Sequence, residues 1–222
     1  MSQQYPPFDP DCSRCPRLAA HLGEVAREHP GYHCRPVPTF GRPGAHLVIV
    51  GLAPGRHGAN ATGRPFTGDH AGILLYRTLY AFGFASGPES HRVGDGLVLH
   101  DCRITNAVKC LPPGNKPTAA EVRSCNPFLQ GELLGDCPPR VVLALGGVAH
   151  RAVVRAFGCR QADYPFEHGQ ARRLQHGPWL LDSYHCSRYN TQTGRLTGEM
   201  FAAVFTTARR LLIEAASRDS GV

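Results

Sequence analysis

The sequence predicts an α/β protein in which helices cover both faces of a central sheet, a three-layer α/β/α sandwich. Short apolar runs, such as HLVIVG at 46–51 and RVVLAL at 140–145, are typical of strands buried in a parallel sheet. Longer segments with helical periodicity lie between these runs, and strands that alternate with helices form parallel sheets. We therefore expect a four-stranded, mainly parallel sheet in one domain over residues 1–222.

The predicted elements follow one another in the order typical of this class. A helix over 14–28 comes after a proline-rich start, and a loop with four prolines leads to the first strand. A glycine-rich loop over 52–69 precedes a helix over 71–82. A helix that begins at 118 opens with a capping box formed by Thr118 and Glu121. The remaining predicted elements are strands over 97–108, 140–145 and 179–181, and helices over 118–134, 147–157 and 197–216.

Composition favours a soluble, cytoplasmic protein with a polyanionic partner. The N-terminal residues are polar and interrupted by prolines, and no stretch has the roughly 18 consecutive apolar residues of a membrane helix. The net charge is +7, with eight arginines against three carboxylates between Arg140 and Arg195. This positive region favours nucleic acid as a partner, although a charged solubilising surface would give the same total.

Nine cysteines are many for a chain without a secretion signal, and an odd number argues against a disulfide framework. Cys12 and Cys15 form a CxxC pair, and Cys110 and Cys125 supply two further thiolates from a distant segment. Four cysteine ligands suit either a zinc ion or a [4Fe–4S] cluster, and their spacing does not decide between the two. We expect the other five to be small buried side chains, with two of them, Cys34 and Cys102, as alternative ligands. These five are Cys34, Cys102, Cys137, Cys159 and Cys186.

Three loops at predicted strand ends carry side chains that suit catalysis, because ligands of parallel sheets bind beyond the carboxyl ends of the strands. Phe66 suits stacking on a flat ligand. Asp69 suits orienting or deprotonating a water, or else caps the next helix. Asn115 suits hydrogen bonding to a ligand edge, or else serves a turn. His185 suits donation to a developing anion, or else is structural.

Taken together, these motifs resemble those of the uracil-DNA glycosylase superfamily. GLAPG with GRPFTGD in 51–69, KCLPP at 109–113 with Cys125, and HCSRYN at 185–190 are most similar to family 5, the bacterial and archaeal type B enzymes with a [4Fe–4S] cluster. Leu52 stands where the similar family 4 enzymes carry an acidic residue. Cys186 replaces the proline of the family's His-Pro-Ser. The resemblance runs from Cys12 to the last helix.

The resemblance implies a uracil-DNA glycosylase-like fold and a structural [4Fe–4S] cluster. Its ligands would be Cys12, Cys15, Cys110 and Cys125, with an N-terminal cluster-binding segment over 8–35. The implied activity is a DNA repair glycosylase, which flips a damaged base out of double-stranded DNA and hydrolyses its N-glycosidic bond without a lyase step. Uracil, hypoxanthine, xanthine and ethenocytosine are the implied bases, and single-stranded DNA is a second candidate substrate.

The resemblance also assigns roles to single residues. Asp69 would position the attacking water, and His185 and Asn115 would stabilise or bind the departing base. Phe66 would stack on the base, whose edge the backbone of Leu52 and Ala53 would contact. DNA contacts would come from a loop containing Arg188, Tyr189, Asn190 and Thr191. We expect a monomer associated with the nucleoid. Two alternatives stay open, namely a non-catalytic iron–sulfur DNA-binding module and an enzyme acting on a free modified base.

Overall fold

The computed structural model describes residues 5–175 and 177–219. The helices are α1 (Pro16–Glu28), α2 (Ala59–Thr62), α3 (His70–Ala81), α4 (Ala119–Leu134), α5 (Gly147–Ala156), α6 (Arg188–Gln192) and α7 (Gly198–Asp219). The strands are β1 (Phe40–Gly41), β2 (Leu47–Gly51), β3 (Cys102–Asn106), β4 (Val141–Leu145), β5 (Ala171–Arg173) and β6 (Trp179–Ser183). Their alternation along the chain is the one that the apolar runs predict.

The strands form one sheet in the order β1-β3-β2-β4-β6-β5. The central strands β3, β2, β4 and β6 run parallel and are the four strands predicted from the sequence. The expected strand number was wrong, because β1 pairs antiparallel with β3 and β5 pairs antiparallel with β6. These edge strands have only 2 and 3 residues, which is too short for an alternating pattern.

Helices cover both faces of the sheet, and alternate residues of each strand point to opposite faces. Leu47 and Ile49 on β2 pack in the core formed with α3 and α7, whereas Val48 and Val50 pack in the core formed with α4 and α5. All five residues of β2 are buried, as in a parallel strand covered on both sides. The predicted three-layer α/β/α class is confirmed.

The N-terminal helix α1 packs outside these layers, against the segment that leaves β3 and against α4. Leu18 lies in a small apolar cluster with Val108 and Phe128. The Arg17 guanidinium donates to both carboxylate oxygens of Glu121, at 2.8 and 2.7 Å. Glu121 also completes the predicted capping box of α4, so the same carboxylate ties α1 to the start of α4.

The parallel strands all end at one edge of the sheet, where β2 and β3 pair in register through their last residues, Gly51 and Asn106. The strand predicted over 97–108 is shorter than expected, because 97–101 is a loop joined to Ala85 by a single bridge at Leu99. None of the helices in the described part of the chain has both the length and the apolarity that crossing a membrane requires.

Candidate functional site

A cavity of about 420 Å³, here called the strand-end pocket, lies beyond the carboxyl ends of β2, β3 and β6. Loops from different parts of the chain meet there because parallel strands end at the same edge. Residues predicted for the site that line it are Leu52, Ala53, Phe66, Asp69, Asn115, His185 and Arg188. The remaining lining residues are Gly55, Ala59, His70, Ala71, Asn106 and Ser187.

Asp69 is held in the pocket wall by backbone on two sides. Its Oδ1 accepts a hydrogen bond from the Gly72 N–H at 3.0 Å, which makes Asp69 the N-cap of α3. On its other side, a Cβ added to Gly58 would lie 2.5 Å from the Asp69 carboxylate. The side chain therefore fills the capping role and also lines the pocket, so the two sequence-based interpretations are compatible.

Burial is the main influence on the Asp69 carboxyl and raises its pKa above the ordinary value of 3.8. The N–H groups of Gly72 and Ala71 and the nearby His70 favour the charged form and offset part of this rise. A carboxylate with a raised pKa is a stronger base than an exposed aspartate, because its charged form is less well solvated. The geometry thus suits Asp69 for accepting a proton from water.

Phe66 forms a flat apolar surface inside the pocket. Its side chain is 6% exposed, and its ring stacks on His185 with 5.8 Å between centroids and 27° between planes. Its backbone φ is +55°, a conformation that phenylalanine rarely adopts. Strained backbone held by its surroundings is common at functional sites, and here it directs the ring towards the strand ends.

The structure distinguishes two asparagines near the pocket. Asn115 ends a short 3-10 turn with φ +57° and is exposed at the pocket rim. This position agrees with a turn role, and hydrogen bonding of Asn115 to a ligand edge stays a prediction. Asn106 is 3% exposed in the pocket wall, and its Oδ1 has no hydrogen-bond partner within the described residues. A buried amide left unpaired is costly, so Asn106 is a candidate for ligand binding. Sequence reasoning missed it, although a polar residue that ends a buried strand is a signal for such a site.

Gly51 makes room for both Phe66 and Asn106. A Cβ at this position would meet the Asn106 amide oxygen and lie 2.6 Å from Phe66 Cζ. We expect Gly51→Ala to displace both side chains and to raise KM about tenfold or more, the equivalent of at least 1.4 kcal/mol of lost binding. Steady-state kinetics on the substrate proposed below would measure this. Gly198→Ala is the matched control, because nothing lies within 4 Å of the added Cβ, and equal KM values for the two variants would contradict the role of Gly51.

His185 follows β6 and lines the same pocket as Asp69. Burial lowers the pKa of His185 to about 4, so the imidazole is neutral near neutral pH. A neutral ring donates one N–H, which suits a hydrogen bond to an oxygen that gains negative charge. A Cβ added to Gly146, whose φ is +93°, would lie 3.4 Å from the His185 Cβ.

The segment predicted as a DNA-contacting loop, Arg188–Thr191, is instead the helix α6. Ser187 caps this helix by accepting from the Asn190 N–H at 3.4 Å. Arg188 and Tyr189 are exposed, and Tyr189 is 70% exposed. The Asn190 amide donates to the His185 carbonyl at 2.8 Å, and Thr191 Oγ1 lies 3.1 Å from His70 Nε2. Two of the four predicted contact residues, Asn190 and Thr191, therefore contact the segments that carry His185 and His70.

Tyr184, immediately before His185, is clamped between two side chains. His168 stacks on one face of its ring at 4.7 Å, and the Arg195 guanidinium lies 4.6 Å from the ring centroid. The Tyr184 N–H also donates to His168 Nδ1 at 3.0 Å, which requires a neutral His168. Burial lowers the pKa of His168 and so favours that form.

We therefore expect His168→Leu to lower kcat by up to about tenfold, the effect of one lost hydrogen bond on the loop that carries His185. His168→Asn places a carbonyl oxygen near the former Nδ1 and should recover part of the rate, which a loss of packing alone would not allow. Single-turnover rates at saturating enzyme would measure both. Equal rates for the leucine and asparagine variants would contradict a positioning role for His168.

The four predicted ligand cysteines line one small cavity together, beside α1 and α4. Cys12 and Cys15 lie at the start of α1, Cys110 follows β3, and Cys125 is inside α4. Burial and the other three thiols raise the pKa of Cys110 to about 12, and burial raises that of Cys125 to about 11. The Lys109 N–H donates to Cys125 Sγ at 3.3 Å. No group of three or more His, Cys, Asp or Glu within the described residues is arranged so that it could hold a metal ion.

The other five cysteines lie apart from this cavity. Cys102 and Cys186 are buried in the main core, as expected, and Cys34 and Cys159 are half-buried. Cys137 is exposed, so the expectation that all five are buried was wrong. Cys34 accepts a weak hydrogen bond from Asn60 Nδ2 at 3.5 Å. Cys102 lies in the core on the α3 and α7 side, so it does not substitute for a ligand.

Comparison with known proteins agrees with this geometry. A family model of the uracil DNA glycosylase superfamily matches residues 38–209. A Type-5 uracil-DNA glycosylase of Thermus thermophilus is 50% identical over 90% of this chain and 93% of the relative. Type-5 enzymes of Mycobacterium tuberculosis and Pyrobaculum aerophilum are 43% and 42% identical, over 90% and 89% of this chain and 78% and 88% of the relatives. A Type-4 enzyme of the same Pyrobaculum is 37% identical over 58% of each chain. The family predicted from the motifs is confirmed, and the chain belongs to the uracil-DNA glycosylase superfamily.

Proposed function

We propose that this chain is a DNA repair glycosylase that removes uracil, and other deaminated bases, from DNA by hydrolysis of the N-glycosidic bond. One observation carries the proposal. A carboxylate, a flat aromatic ring, an unpaired buried amide and a neutral histidine line a single pocket at the strand ends. Its relatives of similar length are named as Type-5 uracil-DNA glycosylases.

Binding begins when the damaged nucleotide leaves the duplex and its base enters the strand-end pocket. Unstacking costs a few kcal/mol and costs least at mismatches, which favours deaminated bases. The Phe66 ring stacks on the base, and the backbone of Leu52 and Ala53 contacts its edge. Asn106 supplies both a donor and an acceptor to the same edge, with Asn115 at the rim.

Bond cleavage places negative charge on the departing base and positive charge on C1′ of the sugar. The neutral His185 donates a hydrogen bond to a base oxygen as it becomes negative. Asp69 orients a water towards C1′ and accepts its proton, while its own negative charge stabilises the positive sugar. The C1′–N bond breaks and a C1′–O bond forms, which leaves an abasic site and a free base.

The reaction stops at the abasic site. A lyase step needs an amine that forms a Schiff base with C1′, and the chain has only two lysines, Lys109 and Lys116. Lys109 is 2% exposed and paired with Glu132 at 2.7 Å. Neither lysine lines the strand-end pocket, so we infer a monofunctional enzyme.

Pocket size supports broad base specificity. Leu52, Ala53, Gly55 and Ala59 leave a cavity of about 420 Å³, and none of the described residues that line it is a tyrosine that would exclude a larger ring. A purine such as hypoxanthine or xanthine therefore fits beside Phe66 as well as uracil does, and we extend the proposal to ethenocytosine.

The four-cysteine cavity fits a [4Fe–4S] cluster. Four thiols line one cavity, and [4Fe–4S] clusters are held by four cysteine thiolates. Cys12, Cys15, Cys110 and Cys125 would hold it, and the group would act structurally by cross-linking α1 to α4. Cys110 lies four residues after Asn106, so the cluster would also brace the pocket wall.

DNA contacts outside the pocket are proposed for α6, where the exposed Arg188 and Tyr189 face solvent next to the pocket. Arg188 suits a phosphate and Tyr189 suits insertion beside the vacated position in the minor groove. Double-stranded DNA with a damaged base is the proposed substrate, and single-stranded DNA is the second. We propose a monomer that acts on the nucleoid in the cytoplasm.

The deciding experiment incubates pure protein with duplexes that carry one uracil, hypoxanthine or xanthine, followed by alkali. Strand breaks at the lesion only after alkali support a monofunctional glycosylase. Breaks without alkali contradict the absence of a lyase step. Binding without product indicates a non-catalytic module, and release of product only from free nucleosides or bases indicates an enzyme of another class.

The pH dependence follows from the two titratable side chains of the mechanism, Asp69 and His185. We expect kcat/KM to be constant near neutral pH and to fall on the acid side as Asp69 becomes protonated, beginning above the ordinary aspartate value of 3.8 because burial raises its pKa. Burial lowers the pKa of His185 to about 4, so the imidazole is neutral on the constant part of the profile. Initial rates of uracil release across this range would test it. A second change in kcat/KM near pH 6.5, present in the wild type and absent from His185→Gln, would contradict the conclusion that the His185 imidazole is neutral in this range.

A further inference from the structure

A second cavity, of about 470 Å³ and here called the side groove, lies next to the strand-end pocket. The two share a wall formed by Phe66, Asp69, His70 and Arg188. The proposed reaction leaves the side groove unused. Its other lining residues come from the start of α3 and from the loop at 88–91, and are Gly68, Gly72, Ile73, Tyr76, Arg77, Pro88, Glu89, Ser90 and His91.

The loop at 88–91 is fixed to the pocket by buried polar contacts. The Arg64 guanidinium donates to both carboxylate oxygens of Asp95, at 2.8 and 2.9 Å, and to Ser90 Oγ at 3.0 Å. Ser90 Oγ also bonds Thr67 Oγ1 at 2.7 Å. Arg64 and Thr67 lie close to Phe66 on either side, so one network holds both the stacking ring and the far wall of the groove.

Asp95 organises the loop as well as anchoring it. The backbone N–H groups of His91, Arg92 and Leu97 all donate to its carboxylate, at 2.9 to 3.1 Å. The Arg64 guanidinium and these N–H groups hold the pKa of Asp95 well below its usual range. The carboxylate therefore stays charged, and the groove exists before any ligand binds.

The groove combines positive charge with an apolar surface. Arg77 and Arg188 line it, and Arg92 is exposed on the same loop. Of the two acids that line it, Asp69 is held in the shared wall and Glu89 lies 3.2 Å from His91 Nε2. Ile73, which is 51% exposed, supplies the apolar part. Arginine beside an exposed apolar surface suits a strand whose phosphates and bases alternate.

We propose that the side groove binds the nucleotides of the lesion-bearing strand next to the flipped one, with Arg77 on a phosphate and Ile73 against a base or sugar. This inference rests on the proposed function, because a base in the strand-end pocket brings its own backbone to the shared wall. The groove then follows the strand on one side of the lesion only. Arg77 is thereby assigned as a substrate-binding residue.

Fluorescence anisotropy with single-stranded oligonucleotides tests the proposal. Three probes carry uracil with flanking nucleotides on both sides, on the 5′ side only or on the 3′ side only. For the wild type, removal of one flank should weaken binding about tenfold, and removal of the other should matter much less. Arg77→Gln should weaken binding of the full probe about three- to tenfold and reduce its salt dependence by about 0.7 in log–log slope, the loss of one phosphate contact.

The variant should also become insensitive to the flank that the wild type uses. Arg155→Gln removes an exposed arginine from α5, on the other face of the sheet, and should leave all three affinities unchanged. An Arg77→Gln protein with wild-type affinities and salt slope would overturn the proposal, and so would equal losses from both truncations. Uracil release is measured in the same samples: flank-dependent binding without release would overturn the proposed function and leave the groove assignment standing.

Discussion

Asp69→Asn is expected to lower kcat for uracil release about 10²- to 10⁴-fold, the usual contribution of a general base, without unfolding the protein. Among the described residues that line the strand-end pocket, Asp69 is the only carboxylate. An amide of the same shape can still orient a water, but it cannot accept the proton or offset positive charge at C1′. The loss should therefore appear in kcat, with KM nearly unchanged.

Asparagine is the informative substitution because Asp69 also caps α3. Asparagine and aspartate are about equally good N-caps, whereas alanine at such a position costs about 1 kcal/mol. We thus expect Asp69→Asn and Asp69→Ala to be similarly inactive, with only the alanine variant less stable to urea. Gly58, whose added Cβ would lie 2.5 Å from the carboxylate, leaves no space for a longer acid such as glutamate.

Single-turnover rates combined with urea unfolding separate catalysis from stability. If Asp69→Asn retained more than a tenth of the wild-type rate, the water would have to be activated elsewhere. A loss of stability in Asp69→Asn equal to that of the alanine variant would instead show that the charge, and not the capping geometry, holds the start of α3.

The layers of the fold follow from sequence because each central strand is a continuous apolar run, and such runs occur only where both faces are covered. The edge strands could not be found in this way. Phe40–Gly41 and Ala171–Arg173 are half-buried or exposed and have no periodicity, and they become strands only by pairing with β3 and β6. Tertiary hydrogen bonding, rather than local sequence, decides those two elements.

The candidate site was predictable to the extent that single residues stand out in loops. Phe66 is the only Phe, Tyr or Trp and Asp69 the only carboxylate in their loop, and His185 follows a strand. Asn106 gives a weaker signal, a polar residue at the end of a buried strand, and only its pairing with the end of β2 shows that it lies in the pocket wall. Helix α6 was missed because it is five residues long and polar, although Ser187 at its start is a capping signal.

Replacing Cys125 with serine is expected to remove the proposed cluster and to lower the free energy of unfolding by more than about 4 kcal/mol, because loss of a structural metal site removes its binding energy from the folded state. Cys125 is 7% exposed and accepts the Lys109 N–H. Serine is smaller and a poor iron ligand. Helix α1 would then be held to α4 by the Arg17–Glu121 pair and the apolar contacts of Leu18 without the cluster, so limited proteolysis should cut first within the N-terminal segment.

Cys137→Ser is the matched control, because Cys137 is exposed and lies outside the four-cysteine cavity. Iron and sulfide analysis of the purified proteins should give four of each per chain for the wild type and for Cys137→Ser, and none for Cys125→Ser. One zinc per chain would contradict the iron–sulfur cluster but would support a metal site at the four cysteines. A wild type without metal and as stable as Cys125→Ser would contradict both. Cys110 follows Asn106 by four residues, so loss of the cluster should disturb Asn106 before it disturbs Asp69. In the wild type, mild loss of iron should therefore raise KM before it changes kcat.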